Sequence, residues 1–408
     1  MSVLSSVAIL TLSALLLGSV CRRLALPPLI GMLLVGILTG PYVLNLLAPE
    51  LLAVSADLRQ FALLVILTRA GLSLDLAELR RVGRPAILLC FLPACFEIIG
   101  YVIFTQLFLG LSPAQGALMG AVMAAVSPAV VVPRMLRLQE EGFGTDKGIP
   151  QMITAGASCD DVFVIVLFTA LLAMNRTGGF DFSIFWRVPL SILSGIAAGL
   201  LAGMLFSAFF RRLHVRDTVM LLVFLSVAFL FVALENLISA VVPFSGLLAV
   251  ISLGVMFRFR DRARADRLSV RFGKLWVFAE ILLFVLVGAE VDISFAVASG
   301  WRLLPVLFLS LLFRMTGVFV CLLKTNLTMR ERLFCAIAYL PKATVQAAIG
   351  GIALSAGLSC GRLILTCAVL AILITAPIGA FATDISYRHL LTAAAKNEKE
   401  ETPQKSRS

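Results

Sequence analysis

Long apolar runs, separated by short segments rich in charge, Gly and Pro, follow one another along almost the whole chain. A helix needs about 20 apolar residues to cross a bilayer, and most of these runs approach or reach that length. The pattern therefore predicts an all-α polytopic membrane protein with thirteen transmembrane helices. The predicted spans are 3–20, 26–40, 59–75, 85–109, 114–136, 149–173, 189–210, 217–236, 244–257, 275–293, 303–323, 332–355 and 362–382.

Composition and charge refine this prediction. With 60% apolar residues, 14% charged residues and a mean hydropathy of +1.03, the chain has no room for a large soluble domain. The net charge of +11 would suggest nucleic-acid binding in a soluble protein, but 26 of the 34 Lys and Arg residues follow odd-numbered spans or lie in the C-terminal tail. The positive-inside rule then places the N-terminus outside and the C-terminus in the cytoplasm, across a cell (inner) membrane. No nucleic-acid partner is expected.

Two charged or polar segments and the cysteines are further features of the sequence. The predicted loop from Arg258 to Lys274 carries seven basic residues, a pattern that either binds anionic lipid or reflects topology alone. The segment 394–408 is polar and is predicted to be disordered. The eight cysteines lie in or beside spans without metal-ligand spacing, so we assign them no metal or redox role.

Landmark residues recur at a nearly constant separation along the chain, which indicates an internal repeat. The pairs are Gly71 with Gly288 and Asp75 with Asp292, each 217 apart, Gly31 with Gly246, 215 apart, and Pro128 with Pro341, 213 apart. They map span 2 onto span 9, span 3 onto span 10 and span 5 onto span 12, a displacement of seven spans. Because an odd displacement inverts the second copy, the pattern predicts the inverted repeat of secondary transporters.

Spans 5 and 12 carry helix-breaking residues at corresponding positions. Pro128 and Pro133 interrupt the first span, and Pro341, Gly350 and Gly351 interrupt the second. A single interruption is compatible with a simple kink. Matched interruptions in two repeat halves indicate broken helices that meet near the middle of the membrane, so we predict two broken crossing helices.

Span 6 places two acidic residues, Asp160 and Asp161, side by side among apolar residues. An ionised side chain at the bilayer centre costs about 2.5 to 3.5 kcal/mol on insertion scales, so the pair requires a partner or a function. Neighbouring residues of a helix point about 100° apart. One carboxylate is therefore expected to face an aqueous cavity and the other a protein partner.

Three further charged residues inside the predicted spans are candidates for a functional role. Lys342 follows Pro341 in the break of span 12, where it is expected to neutralise the carbonyl ends of the broken helices or to pair with Asp160. Glu97 in span 4 and Arg314 in span 11 are 217 residues apart, which is the repeat distance, so we expect them to face each other. Their pair is either a static salt bridge or one that changes partners during function.

Together these residues resemble the cation/proton antiporter superfamily in its double-aspartate branch. The resemblance rests on the Asp160–Asp161 pair, on SPAVVVP with Ser127 and Pro128, and above all on YLPKATVQAAIG from Tyr339 to Gly350. The last segment, with Glu97 and Arg314, looks closest to the NHA-type sodium/proton exchangers found from bacteria to mitochondria and animal plasma membranes. The resemblance covers spans 2 to 13 and implies an NhaA-like fold.

The resemblance also implies a homodimer with a division of labour among the spans. Spans 1 to 3 and 8 to 10 would form the dimer domain, spans 4 to 6 and 11 to 13 the ion-carrying core, and span 7 a linker. The implied boundaries are 1–84 and 215–300 for the dimer domain, 85–180 and 301–387 for the core transport domain, 181–214 for the linker helix and 388–408 for the cytoplasmic tail.

By the same resemblance, the chain exchanges sodium or lithium for protons. Asp161 is implied to be the principal carboxylate, which binds the metal cation and protons alternately, and Asp160 assists it. A proton and a cation compete for one carboxylate, and hydroxyl and carbonyl oxygens suit an alkali cation as further ligands. The implied supporting residues are Lys342, Glu97, Arg314, Pro128 and Pro341, with Ser127 and Thr154 as hydroxyl ligands. No cofactor is implied beyond the transported ions.

One position departs from the family pattern. Many double-aspartate antiporters carry a lysine where Arg314 stands, paired with the first aspartate. Here Arg314 is expected to face Glu97 instead. This departure leaves open whether exchange moves net charge across the membrane.

Other functions fit the residues less well. An intramembrane aspartyl protease needs two carboxylates that share a water, which adjacent residues of one helix cannot do, so no enzymatic activity is expected. Two acids at mid-membrane would repel an anionic substrate. A potassium/proton antiporter or potassium efflux system of the same superfamily is the alternative, weakened because the 27 residues after Phe381 are too few for a nucleotide-binding domain.

Overall fold

The computed structural model describes residues 2–74, 82–176, 184–213, 215–238 and 242–393, and within them the regular elements are helices. The tail segment 394–408 and the repeat landmark Asp75 lie outside the described residues. The helices are α1 (Val3–Arg23), α2 (Pro28–Thr39), α3 (Pro49–Ala53), α4 (Ser55–Ser73), α5 (Arg84–Leu89), α6 (Leu92–Leu109), α7 (Pro113–Met123), α8 (Pro128–Glu141), α9 (Ile149–Arg176), α10 (Ile184–Arg212), α11 (Asp217–Ile238), α12 (Gly246–Arg260), α13 (Arg262–Ala289), α14 (Ile293–Cys321), α15 (Met329–Ala338), α16 (Thr344–Gly350), α17 (Ile352–Ser355) and α18 (Gly361–Leu390).

The apolar runs form helices close to the predicted positions. In the described part of the chain, nine helical segments are long and apolar enough to cross a membrane. They are Val3–Arg23, Arg84–Leu109, Pro113–Glu141, Ile149–Asn175, Pro189–Arg212, Asp217–Ile238, Arg262–Ala289, Ile293–Cys321 and Gly361–Leu390. The other predicted spans correspond to shorter helices, α2, α4, α12 and the series α15 to α17. The chain is thus an integral membrane protein with an all-helical, polytopic fold.

The segment from Arg258 to Lys274, predicted to be a loop, is helical, and this prediction is wrong. α12 continues to Arg260 and α13 begins at Arg262, with only Asp261 between them. The Asp261 carboxylate accepts a hydrogen bond from the backbone N–H of Arg264 at 3.2 Å, which starts α13. Apolar residues recur at helical spacing in this stretch and are buried, namely Ala265, Leu268 and Phe272. The density of positive charge hid this amphipathic pattern.

Several helices begin at local capping signals that the sequence carries. Ser112 and Gln115 form a reciprocal capping box at the start of α7, and Thr328 and Glu331 form another at the start of α15. Asp292 caps α14 by accepting the backbone N–H of Phe295 at 3.1 Å. These caps satisfy N–H groups that the first helical turn leaves unpaired.

The helices pack in two groups. In the first group, α10 packs on α12, α13 packs on α2 and α4, α1 packs on α2, and α4 packs on α12. In the second group, α14 packs on α6, α6 on α7, α9 on α5, α7 and α8, and α15 to α17 on α18. Among the described residues, the groups meet chiefly where α9 contacts α10 and α12 and where α16 contacts α4 and α13. The contacts between the groups are thus fewer than those within either group.

Glycines allow the helices of the first group to cross with their backbones in contact. A Cβ atom on Gly36 of α2 would overlap the backbone of Val285 in α13, and one on Gly71 of α4 would overlap the backbone of Ile251 in α12. Small residues at such crossings are how membrane helices gain close packing, because lipid is as apolar as the side chains and supplies no hydrophobic drive. These crossings leave little freedom for one helix to slide on another.

We expect Gly36→Ala to destabilise the protein, whereas Gly300→Ala, the same change in α14, is expected to be neutral or stabilising. At Gly36 the new methyl group meets backbone that cannot rotate away, and overpacking of this kind costs about 1 to 3 kcal/mol. At Gly300 no atom lies within 4 Å of the new methyl position, and alanine favours the helix by about 0.5 to 1 kcal/mol. Thermal unfolding in detergent measures both; equal midpoints would contradict the backbone contact.

Candidate functional site

Two unwound segments cross near the centre of the second group. The first separates α7, which ends at Met123, from α8, which begins at Pro128; the second separates α15, which ends at Ala338, from α16, which begins at Thr344. The backbone N–H of Ser127 donates to the carbonyl of Pro341 at 2.8 Å and joins the two breaks.

The breaks lie only partly where the prolines and glycines were expected to put them. Pro128 and Pro341 stand at the breaks, because proline lacks an N–H and disfavours helical backbone in the residue before it. Pro133 lies inside α8, which continues through it. Gly350 and Gly351 separate the short α16 from α17 rather than forming the central break.

Arg314 of α14 lies at this crossing and is fully buried. Its Nε donates to the carbonyl of Tyr339 at 2.8 Å, and its Nη1 donates to the carbonyl of Ala124. These carbonyls lie directly after α15 and α7, where the ends of the broken helices carry partial negative charge. One guanidinium therefore neutralises both carbonyl ends, a role that the sequence reasoning assigned to Lys342.

Arg314 also contacts two carboxylates. Its Nη1 lies 2.8 Å from Glu97 Oε2 and its Nη2 lies 3.0 Å from Asp160 Oδ2. The predicted contact between Glu97 and Arg314 is present. The expectation that Glu97 would replace the first aspartate as the partner is corrected, because the planar, forked guanidinium reaches both acids at once.

Lys342 completes a buried set of four charges. Its Nζ lies 2.6 Å from Glu97 Oε2, and neither side chain is exposed. This contact replaces the two expected ones, with Asp160 or with the carbonyl ends. Glu97, Asp160, Arg314 and Lys342 are here called the charge quartet. In their ordinary ionised forms they carry two negative and two positive charges, so the set is formally neutral, as buried charges require.

The two adjacent aspartates have different surroundings, as the helical geometry predicts. Asp160 is fully buried, and its Oδ2 accepts hydrogen bonds from the backbone N–H of Val126 at 2.8 Å and from Arg314. Asp161 is 8% exposed and lines a cavity. Its Oδ1 is buried and has no hydrogen-bond partner among the described residues. Asp161 is therefore the aspartate available to an ion.

The cavity lies between the two helix groups and has a volume of about 460 Å³. Its walls come from α4 and α13 on one side and from α8, α9 and α16 on the other. The cavity extends towards the end of α4 and the beginning of α13, where it is lined by Arg69, Ser73 and Ser269. Asp161 thus faces a space that both groups border.

At the opposite end of α4, a different contact joins this helix to the end of α13. Arg59 near the start of α4 donates from Nη2 to Glu290 Oε1 at 2.6 Å, and Ser55 Oγ donates to the same oxygen at 3.2 Å. Gly351, between α16 and α17, packs so close to Arg59 that a Cβ atom there would overlap the guanidinium. The second group therefore contacts this ion pair of the first group through the backbone of Gly351, which has no side chain.

Several buried hydroxyl oxygens near the breaks have no hydrogen-bond partner among the described residues, including Ser127 Oγ, Thr154 Oγ1, Thr344 Oγ1 and the phenol oxygen of Tyr339. The resemblance implied Ser127 and Thr154 as hydroxyl ligands, but neither of them lines the cavity, whereas Thr344 lines it together with Asp161. Thr344 was missed, although it follows Lys342 by two residues within the run that carried the resemblance. Carboxylate and hydroxyl oxygens form a hard donor set that suits an alkali cation.

Comparisons with known proteins agree with this architecture. The model of the transmembrane sodium/hydrogen exchanger family matches residues 9–385. The chain is 37% identical to sodium/hydrogen exchanger 9B2 of Mus musculus over 365 residues, which cover 87% of this chain and 66% of the mouse protein. It is 34% identical to the Homo sapiens 9B2 exchanger over 400 residues, covering 93% and 72% of the two chains.

The chain spans less than two thirds of the length of the mouse 9B2 exchanger, and 62% of the Xenopus tropicalis one. Among solved structures, the fold matches the sodium proton antiporter MjNhaP1 from Methanocaldococcus jannaschii with a TM-score of 0.81 at 21% identity, covering 95% of this chain and 98% of that one. At this identity the match shows the all-helical polytopic fold.

Replacing Arg314 is expected to destabilise the fold itself. Arg314→Ala removes the positive charge between two buried acids and leaves two carbonyl ends without a donor, and breaking a buried ion pair in this way costs about 3 to 5 kcal/mol. Thermal unfolding in detergent should show a large drop in midpoint. The matched control is Arg137→Ala, an exposed arginine in a surface pair, which should change the midpoint little. Similar midpoints for the two variants would show that the buried contacts carry no stability.

Proposed function

The chain belongs to the sodium/hydrogen exchanger family, and from this premise we propose that it is a secondary active transporter that exchanges sodium or lithium for protons by alternating access. One observation carries the proposal. Asp161 is the acid that lines the cavity between the helix groups in the described part of the chain, and its buried Oδ1 has no partner there. Every other buried acid at the crossing is paired with a cationic side chain.

Competition at Asp161 is the proposed basis of exchange. Its carboxylate binds either a proton or an alkali cation, and either one neutralises the charge that the low-dielectric surroundings disfavour. A carrier that moves only when this charge is neutralised exchanges one ion for the other. Asp160 assists by fixing the unwound segment through the N–H of Val126, which sets the position of the neighbouring carboxylate.

Alternating access requires two bodies that move relative to each other, and the packing supports this. Apart from α10, the first helix group corresponds to the proposed dimer domain (1–84 and 215–300), and the second group to the proposed core transport domain (85–180 and 301–387). α10 packs with the first group but lies in the proposed linker, 181–214, and 388–408 is the proposed tail. The cavity and Asp161 lie between them. Movement of the core would then expose Asp161 alternately to the two sides.

We further propose thirteen spans arranged as an inverted repeat. The two glycine crossings support it, since the proposed repeat maps α2 onto α12 and α4 onto α13. The crossing of α2 with α13 at Gly36 then corresponds to the crossing of α12 with α4 at Gly71. The extensive packing of α6 on α14, which carry Glu97 and Arg314, relates equivalent helices in the same way.

Orientation and assembly are also part of the proposal. The proposed location is the inner membrane, with the N-terminus outside and the C-terminus in the cytoplasm. In this orientation the cavity opens to the cytoplasm. The dimer domain would form a homodimer, and the exposed Arg271 and Lys274 of α13 would face anionic lipid head groups. Several other basic residues of this segment contact acids within the chain, namely Arg258, Arg264 and Arg267.

The charge quartet bears on stoichiometry. Glu97, Asp160, Arg314 and Lys342 are paired with one another, so among the acids at the crossing in the described residues Asp161 is the one without a cationic partner. One cation replaces one proton on a single carboxylate. We therefore propose electroneutral, one-for-one exchange.

The exchange is tested in proteoliposomes that contain a pH-sensitive dye. Sodium or lithium added outside acid-loaded vesicles is expected to raise the internal pH, because the cation displaces the proton from Asp161. Asp161→Asn should abolish the response, since the neutral amide has no negative charge to attract the cation and no proton to release. Asp146→Asn, in the exposed loop between α8 and α9, is the matched control and should keep it. A response to potassium alone, or an Asp161→Asn variant as active as the wild type, would refute the proposal.

The stoichiometry is tested by repeating this assay with the membrane potential clamped by potassium and valinomycin. Moving one net charge across the membrane is worth about 2.3 kcal/mol per 100 mV, so electrogenic exchange would change strongly in rate between 0 and 100 mV. We expect initial rates that do not depend on the potential. A rate that rises or falls steeply with potential would show that a second group, in the charge quartet, releases or binds a proton.

A further inference from the structure

The hydroxyl of Thr344 stands out among the cavity-lining groups that the mechanism above does not use. Thr344 is the first residue of α16, directly after the second unwound segment, and it is 1% exposed. It lines the same cavity as Asp161, which lies on α9. Its Oγ1 is buried without a hydrogen-bond partner among the described residues, and leaving a buried hydroxyl unpaired costs about 1 to 3 kcal/mol.

Other buried threonines satisfy their hydroxyl groups with a hydrogen bond to the helix backbone, which Thr344 lacks. Thr39, Thr68, Thr105 and Thr383 each donate from Oγ1 to the carbonyl four residues earlier in the same helix, at 2.6 to 2.8 Å. Thr344 begins its helix, so the residue four positions earlier, Leu340, lies in the unwound segment. The break that shapes the site also deprives this hydroxyl of its backbone acceptor.

The neighbouring polar groups of the cavity are differently placed. Ser158 lines the cavity too, but its Oγ donates to the carbonyl of Thr154 at 2.9 Å. Ser127 and Thr154 keep unpaired oxygens but do not line the cavity. Thr344 is therefore the one hydroxyl that combines cavity lining, full burial and an unpaired oxygen in the described residues.

We propose that Thr344 Oγ1 is a ligand of the transported sodium or lithium ion, supplied by the second broken helix opposite Asp161. This inference rests on the proposed function and adds a specific residue to it. A neutral oxygen ligand stabilises the bound cation without adding charge. A proton on Asp161 needs no such ligand, because it forms a covalent bond with one carboxylate oxygen. Thr344 thus favours the cation over the proton.

The test compares Thr344→Val, which keeps the shape of the side chain and removes the oxygen, with Thr344→Ser, which keeps the oxygen. Each purified variant is assayed for initial exchange rate against sodium concentration at several pH values. Thr344→Val should raise the apparent KM for sodium roughly tenfold, as expected for the loss of one oxygen ligand at a buried site. Thr344→Ser should stay within about twofold of the wild type.

Two further readouts separate a ligand from a structural role. The apparent KM for sodium rises as the pH falls, because protons compete for Asp161. The midpoint of this pH dependence reports proton binding to Asp161, and Thr344→Val should leave it unchanged. Sodium should raise the thermal unfolding midpoint of the wild-type protein in detergent, and this shift should be strongly reduced in Thr344→Val. Thr169→Val in α9, whose hydroxyl is bonded to Ile165, is the matched control and should behave as wild type.

The outcomes separate this inference from the proposed function. A sodium KM in Thr344→Val equal to that of the wild type overturns the assignment, as does an equal rise in Thr344→Ser. A shifted pH midpoint in Thr344→Val also overturns it, because the substitution would then act through the position of Asp161. Exchange that survives Asp161→Asn refutes the proposed site itself. If Thr344→Val is poorly folded, Thr344→Ala with its Thr344→Ser partner gives the same comparison.

Discussion

The burial of one guanidinium where two broken helices cross is the constraint on which the rest of the site depends. Each break leaves backbone carbonyls without helical partners, in a region where water is scarce. Arg314 donates to the carbonyls of Tyr339 and Ala124 and so stabilises both breaks. The positive charge of Arg314 is compensated by Glu97 and Asp160. These two acids leave one surplus negative charge, which Lys342 compensates through its contact with Glu97. The fold thus fixes four charges before any ion arrives.

This arrangement explains why two adjacent acids have separate tasks. Asp160 is held by Arg314 and by the N–H of Val126, so it belongs to the framework of the breaks. Asp161 is one residue further along α9, turned by about 100° towards the cavity, and no cationic side chain forms a salt bridge with it in the described structure. The framework positions Asp161 accurately while leaving its charge for a proton or a cation to neutralise.

Residues that are costly to bury were predictable from the sequence, and residues that cost little were not. Asp160, Asp161 and the pair of Glu97 with Arg314 stood out because each charge inside an apolar run requires an explanation. The partner of Lys342 was not predictable, because the choice among several acids depends on side-chain reach across three helices. Thr344 lies in the run that carried the resemblance, but its residue type gave no reason to select it, since a threonine in a helix usually donates its hydroxyl to its own backbone. The apolar runs themselves gave the order of the helices.

The contrast between the two helix groups indicates where motion is easiest. The first group is joined by glycine crossings with backbone against backbone, and such packing resists sliding. The second group is joined by the charge quartet, whose separation would leave buried charges unpaired. Between the groups the contacts are fewer, and at the end opposite the cavity the backbone of Gly351 packs on Arg59, which is paired with Glu290. Separating Gly351 from Arg59 leaves the Arg59–Glu290 pair intact, so a displacement that preserves each group costs least along the boundary between the groups, where Asp161 lies.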